Sequence, residues 1–170
     1  MNYKRLYVPN SMIFFTVVTN NRKKILLDNI EYLRQSFKTT KEKYKFDIVA
    51  IIVNPDHFHM IIKPDEINEY PKILGSIKSN FTKISGIKHS INNNRESDIW
   101  QRRYWEHTII NEEDLYKHID YIHYNSMKHY NIPPKDWEFS SFRKFVENKY
   151  YENDWCNFED KYKINEMDIE

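Results

Sequence analysis

Three side chains able to hold a metal ion and one able to attack phosphorus stand in two short stretches of this chain. The first is Asn54-Pro55-Asp56-His57-Phe58-His59-Met60-Ile61-Ile62, a turn sequence feeding an apolar run. Side chains alternate faces along an extended strand, so His57 and His59 project together while Phe58, Met60 and Ile62 project to the other side. Two imidazoles on one face make half of a metal site. The second stretch is Asp120-Tyr121-Ile122-His123-Tyr124-Asn125-Ser126-Met127-Lys128-His129. On a helix Tyr121, Asn125 and Lys128 fall at i, i+4 and i+7, so a phenol and an amide share one face. A divalent ion held by His57, His59 and the Asn125 carbonyl oxygen would keep open positions for a scissile phosphate. Such a mixed set does not choose its metal sharply, and its nitrogens admit Zn²⁺ or Ni²⁺. A phenol has an unperturbed pKa of about 10, so a nucleophilic tyrosine must lose its proton as it attacks.

A turn followed by His-hydrophobic-His and an aliphatic run resembles the HUH motif of single-strand DNA nucleases and transposases. Together with Trp100-Gln101-Arg102-Arg103-Tyr104-Trp105-Glu106-His107 and the helical stretch above, it is similar to the REP-associated tyrosine transposases. Their pattern runs roughly W-Q-x-R-[FY]-W-E-H, then Y-I-x-x-N-P-V-K-H-G. The likeness reaches from Phe14-Phe15-Thr16 through Asp136-Trp137-x-Phe139-Ser140-Ser141-Phe142, and departs at Ser126, Met127 and Tyr130, where that family has Pro, Val and Gly. The resemblance implies Tyr121 as the nucleophile rather than Tyr124, which lies on another helical face. It also implies Mg²⁺ or Mn²⁺ at His57, His59 and Asn125, and a 5′-phosphotyrosine intermediate. The implied partner is single-stranded DNA from palindromic repeats that fold into hairpins, bound by a monomer or homodimer.

The residues alone leave other readings open. A replication-initiator or relaxase-like nicking enzyme shares this chemistry. A non-catalytic ferredoxin-like nucleic-acid-binding module would need no metal, and a metal-dependent hydrolase using water would form no covalent adduct.

The elements that must position these groups follow in order. Met12 to Val18 is rich in aromatic and β-branched residues and reads as the first strand. Asp28 or Asn29 caps a helix with Ile30, Leu33 and Phe37 at helical spacing, and Phe46 to Val53 forms a second strand that turns back into the histidine strand. That hairpin is expected at the centre of the sheet. Asn68 is a candidate cap for a second helix with Ile73, Leu74, Ile77, Phe81 and Ile84 as its buried stripe, and Tyr104 to Ile110 reads as the fourth strand. Asn111, followed by Glu112, Glu113 and Asp114, starts the helix that carries Tyr121, with Tyr121 expected beside its apolar stripe and His123 at the surface. The order predicts an α+β class, a ferredoxin-like β-α-β-β-α-β antiparallel sheet with an additional catalytic helix and a C-terminal tail. Residues 1–130 would form the catalytic domain and 131–170 an extension packed on it.

Composition sets the outer bounds. A chain of 170 residues with 40% hydrophobic content can build one core. Cys156 is the sole cysteine, which rules out an internal disulfide and, with the short apolar run near the N-terminus, suggests a cytoplasmic protein away from the membrane. The net charge of +1 conceals a segregated chain. Residues 72–103 hold seven Lys and Arg against Glu96 and Asp98, whereas residues 146–170 hold eight acids against three lysines. Lys78, Lys83, Arg102, Arg103 and Lys128 supply cations, and Trp100 and Tyr104 supply planar rings, for a DNA-binding surface.

Overall fold

The computed structural model describes residues 7–93 and 97–156. Four strands, β1 (Ile13–Val18), β2 (Phe46–Val53), β3 (His57–Pro64) and β4 (Trp105–Thr108), form one antiparallel sheet in the order β2-β3-β1-β4. Helices α1 (Ile30–Lys43) and α2 (Tyr70–Ser85) lie between them in sequence, giving the anticipated β-α-β-β-α-β order. Two further helices follow, α3 (Glu112–Tyr130) and the short α4 (Phe142–Glu147).

The sheet is covered on both faces, so β1 is buried along its whole length and reads Ile-Phe-Phe-Thr-Val-Val instead of alternating with polar residues. One face presents Ile13, Phe15, Val17, Phe58, Met60 and Ile62 to Leu33 and Phe37 of α1 and to Ile73, Leu74, Ile77 and Phe81 of α2. The other presents Phe14, Ala50, Ile52 and Ile61 to Ile119, Tyr121 and Ile122 of α3. His57 pairs with Val18 and His59 with Thr16, so both histidines stand on the α3 face.

Several local expectations need correcting. The β2-β3 hairpin is not central: β3 is internal, but β2 is an edge strand. Helix α2 starts at Tyr70 after a 3₁₀ turn over Ile67–Glu69, with Glu69 and not Asn68 at its cap. Asn29 precedes α1, but its amide donates to the Ile25 carbonyl and caps nothing. Asn111 does cap α3, accepting from Asp114 N–H at 2.8 Å. The far end of α3 is closed by Asn131 at φ 55°, whose N–H returns to the Met127 and Ser126 carbonyls. Asparagine tolerates the left-handed region, so the helix ends in an ordinary turn although Tyr130 stands where a glycine is usual in the resembling pattern.

The β2 edge does not stand bare. Val53 N–H donates to the Phe139 carbonyl and Ser141 N–H to the Ile51 carbonyl, so residues 139–141 lie along the strand. Ser141 Oγ also meets His123 Nε2 at 2.8 Å, and His123 Nδ1 lies 3.2 Å from the Tyr151 hydroxyl, which donates to Asp120 at 2.6 Å. His123 is therefore a buried residue under the C-terminal segment, not a surface one, and burial pushes its pKa down to about 3.

Candidate active site

The tight turn before β3 sets the site. Asn54 N–H donates to the His57 carbonyl, closing Asn54-Pro55-Asp56-His57, and Thr19 and Leu26 N–H groups hold the Asp56 and Pro55 carbonyls. This fixes where β3 begins, and hence which face its histidines take. His57 Nδ1 lies 2.7 Å from Asp56 Oδ1, while its Nε2 accepts from Asn54 Nδ2 at 3.0 Å. The imidazole is thus the Nδ1–H tautomer, with its Nε2 lone pair facing Asn54 and Asn125. Asp56 does more than make the turn: it orients a candidate ligand. Burial works against its ionisation, but the hydrogen bond and electrostatic interaction with His57, together with nearby Arg22, outweigh that and hold its pKa below the usual carboxylate value.

His59 is fully buried, its Nδ1 2.8 Å from Thr16 Oγ1. When Nδ1–H donates to the threonine, Nε2 is the atom left to coordinate. The two histidine rings are 4.9 Å apart, and the Tyr121 ring stands edge-on to His59 at 5.3 Å. Asn125, one helical turn beyond Tyr121, accepts from Asn54 Nδ2 at 2.6 Å through Oδ1. One amide nitrogen therefore bridges His57 Nε2 and Asn125 Oδ1. Ligand-type atoms from β3 and α3 are thus gathered around one amide, close enough together for a single divalent ion to take both.

Tyr121 is 2% exposed, so it points into the α3-sheet layer and not beside the core as its helical position suggested. Its hydroxyl accepts from Lys128 Nζ at 3.3 Å, and the same ammonium lies 5.1 Å above the ring. Tyr124 faces elsewhere, toward Trp155 at 6.4 Å. Phe14, Thr16 and Asn54 are parts of the site that the sequence did not flag. Phe14 packs within about 6 Å of both His59 and Tyr121, and in a strand of apolar residues nothing marked it out as facing the site. His129, at the end of α3, brings its ring 5.4 Å from His57.

A second cluster anchors α3 to β4. Ligand atoms of His107, Asp114 and His118 lie within 4.8 Å of one another, a grouping of metal-ligating type. The Asp114 carboxylate is already engaged by His107 Nε2 at 2.7 Å, by Ile110 N–H at 3.0 Å and by Lys117 at 3.3 Å. His107 and His118 stack face to face with 13° between planes, so their in-plane lone pairs run side by side instead of meeting. We read the cluster as a hydrogen-bonded anchor for α3.

The candidate DNA-binding residues divide. Trp100 is 5% exposed, packs on Phe58 and Phe81 and donates Nε1–H to the Lys78 carbonyl, so it is a core residue with no face for a base. Tyr104 is half-buried against Phe15. Lys78 donates to the Gln101 carbonyl and ties α2 to the loop. Lys83 lines a groove with Lys72, Ser76 and Ser79 between α1 and α2, across the sheet from His57 and His59. Arg102 and Arg103 are exposed, next to Gln101, whose N–H bonds the carbonyl of Val18 opposite His57. Lys128 lies at Tyr121 itself. Arg95, counted in the basic segment, lies outside the described residues.

An antiparallel ferredoxin-like sheet with two histidines facing a helix that carries Tyr and Asn is the α+β architecture of HUH transposases. The profile of the family described as "Transposase IS200 like" matches residues 7–125. The chain belongs to that family, within its REP-associated tyrosine transposases. A Haemophilus influenzae relative, also named for that group, is 40% identical over 162 residues, covering 91% of this chain and 92% of its own. The REP-associated tyrosine transposase of Escherichia coli K12 is 35% identical over 157 residues, 91% of this chain and 90% of its own. A solved REP-associated tyrosine transposase bound to a REP hairpin superposes with TM-score 0.82 at 34% identity, over 93% of this chain and 92% of that one. Among the described residues no helix is long and apolar enough to cross a membrane.

Proposed function

We propose that the chain cuts and rejoins single-stranded DNA at hairpin-forming repeats through a covalent tyrosine intermediate, acting in the cytoplasm. The convergence of His57 Nε2 and Asn125 Oδ1 on one amide group, with the Tyr121 ring against His59, carries this reading. His57, His59 and Asn125 would hold a divalent ion, Mg²⁺ or Mn²⁺. Such an ion, when bound, would neutralise charge on a phosphate and orient it. Asp56 and Thr16 fix the two imidazoles, and Phe14 with the α3 layer keeps water from the back of the site. Tyr121 Oη would attack phosphorus in line, forming the O–P bond as the P–O3′ bond breaks. The phenol proton is lost and the departing 3′ oxygen gains one, leaving a 5′-phosphotyrosine and a free 3′-OH. Lys128 is placed to stabilise negative charge on the phenol oxygen. Arg102 and Arg103 flank the same end of the sheet and would hold the strand by its backbone.

Incubation with an end-labelled hairpin oligonucleotide and Mn²⁺ should yield a protein-DNA species that survives denaturation. Cleavage without an adduct would assign the attack to water, and binding without cleavage would leave a recognition module only.

A further inference from the structure

Asn54 stands where the sequence shows only a turn residue, yet its side chain is fully buried in the site. It leaves β2 on the same face as Ala50 and Ile52, toward α3. Its NH₂ donates to His57 Nε2 at 3.0 Å and to Asn125 Oδ1 at 2.6 Å, whereas its own Oδ1 is buried with no donor. An amide satisfied at one end and stranded at the other is costly in a core, and such groups are rare. The two ends of a carboxamide are nearly the same size, so half a turn about χ2 exchanges them without repacking. Exchanged, Oδ1 would stand beside His57 Nε2 and Asn125 Oδ1, making a cluster of three lone-pair atoms with no donor among them. As observed only Oδ1 lacks a partner, whereas in the exchanged orientation Oδ1 would face two acceptors, so only a cation held beside the three atoms would favour the exchange.

We propose that Asn54 is a fourth protein ligand of the metal site, presenting Oδ1 to a hard divalent cation once its carboxamide turns. This rests on the assignment of His57, His59 and Asn125 as ligands made above. The consequence is a set of two nitrogens and two oxygens, which favours Mg²⁺ or Mn²⁺ more than two imidazoles and one amide would.

The test needs no DNA and no turnover. Mn²⁺ is titrated into the full chain and free Mn²⁺ is read by its EPR signal, for wild type, Asn54→Ala, Asn54→Asp and His57→Ala, with far-UV circular dichroism confirming the fold. A ligand role predicts a tenfold or greater loss of Mn²⁺ affinity in Asn54→Ala and a gain in Asn54→Asp, because the carboxylate keeps the coordinating oxygen and adds charge. Asn54→Asp should also melt lower in EDTA than wild type and recover on adding Mn²⁺, since its oxygens then face Asn125 Oδ1 unscreened. Wild-type or tighter binding in Asn54→Ala, or weakened binding in Asn54→Asp, would show that the amide serves only as a hydrogen-bond donor, and would overturn the proposal while leaving the His57 site standing. Wild-type Mn²⁺ binding in His57→Ala would bring down the site assignment itself.

Discussion

Tyr121 and Tyr124 sit three residues apart on α3 and offer a matched pair of substitutions. Tyr121→Phe removes one oxygen, with its 3.3 Å contact to Lys128, and keeps the ring that packs on Phe14 and His59. Stability should change by about 1 kcal/mol or less. Hairpin binding should persist while the denaturation-resistant adduct disappears from a gel; Tyr124→Phe should keep it. An adduct formed by Tyr121→Phe but absent from Tyr124→Phe would reverse the assignment. The histidines behave differently from a surface pair. Both are almost fully buried, so His57→Ala and His59→Ala should lose Mn²⁺-dependent cleavage and also about 1–3 kcal/mol of stability, measurable by urea denaturation. Their common face was legible because strand alternation depends on nothing but position. The depth of Tyr121 and His123 was not, since a helix turn shows which residues share a side but not that a sheet and a returning tail will both close over it.

Among the elements, α3 carries the most of the site, and its N-terminal turn is fixed to β4 through Asp114. Burial opposes the ionisation of Asp114, yet hydrogen bonds from His107 and Ile110 and the charges of His107 and His118 hold its pKa below the usual value. The Asn111 cap was legible, but Asp114 shares its carboxylate between Ile110 N–H at the helix start and His107 of β4, and the second contact requires knowing which strand lies beside it. His118 completes the anchor. Burial is the main cause of its pKa falling from 6.5 to about 4, the Asp114 carbonyl and carboxylate acting the other way and His107 and Lys117 assisting. Because the folded pKa is below the unfolded one, the unfolded chain takes up the proton first. The stability tied to the neutral ring is complete above about pH 6.5 and drains away as pH falls toward 4. Chemical denaturation at several pH values should therefore show a steeper loss across that window in wild type than in His118→Phe. Parallel curves would mean that other groups carry the dependence.

Across the whole molecule, the ferredoxin-like order could be read from apolar periods alone, because each strand and helix of the sheet announces itself locally. The roles of Trp100, Lys78 and Lys83 could not, since whether a planar or charged side chain meets solvent depends on which layer its element joins. With Trp100 in the core and Lys83 across the sheet from the histidines, the proposed strand binding rests on Arg102 and Arg103. Binding of single strands should weaken with salt at a slope of about −0.7 per phosphate neutralised, roughly −3 to −4 for four to six contacts, and replacing both arginines should flatten it. An unchanged slope in a fluorescence-anisotropy titration would remove them from the interface. The segment that pairs with β2 has a different consequence. A chain stopped just before Phe139 keeps every residue assigned to the chemistry, but loses the bonds to Ile51 and Val53 and the cover over His123. It should melt lower and scatter light on standing, through strand edges that find one another. A nonsense codon in that last stretch would thus silence a gene copy by insolubility, with its catalytic codons still intact.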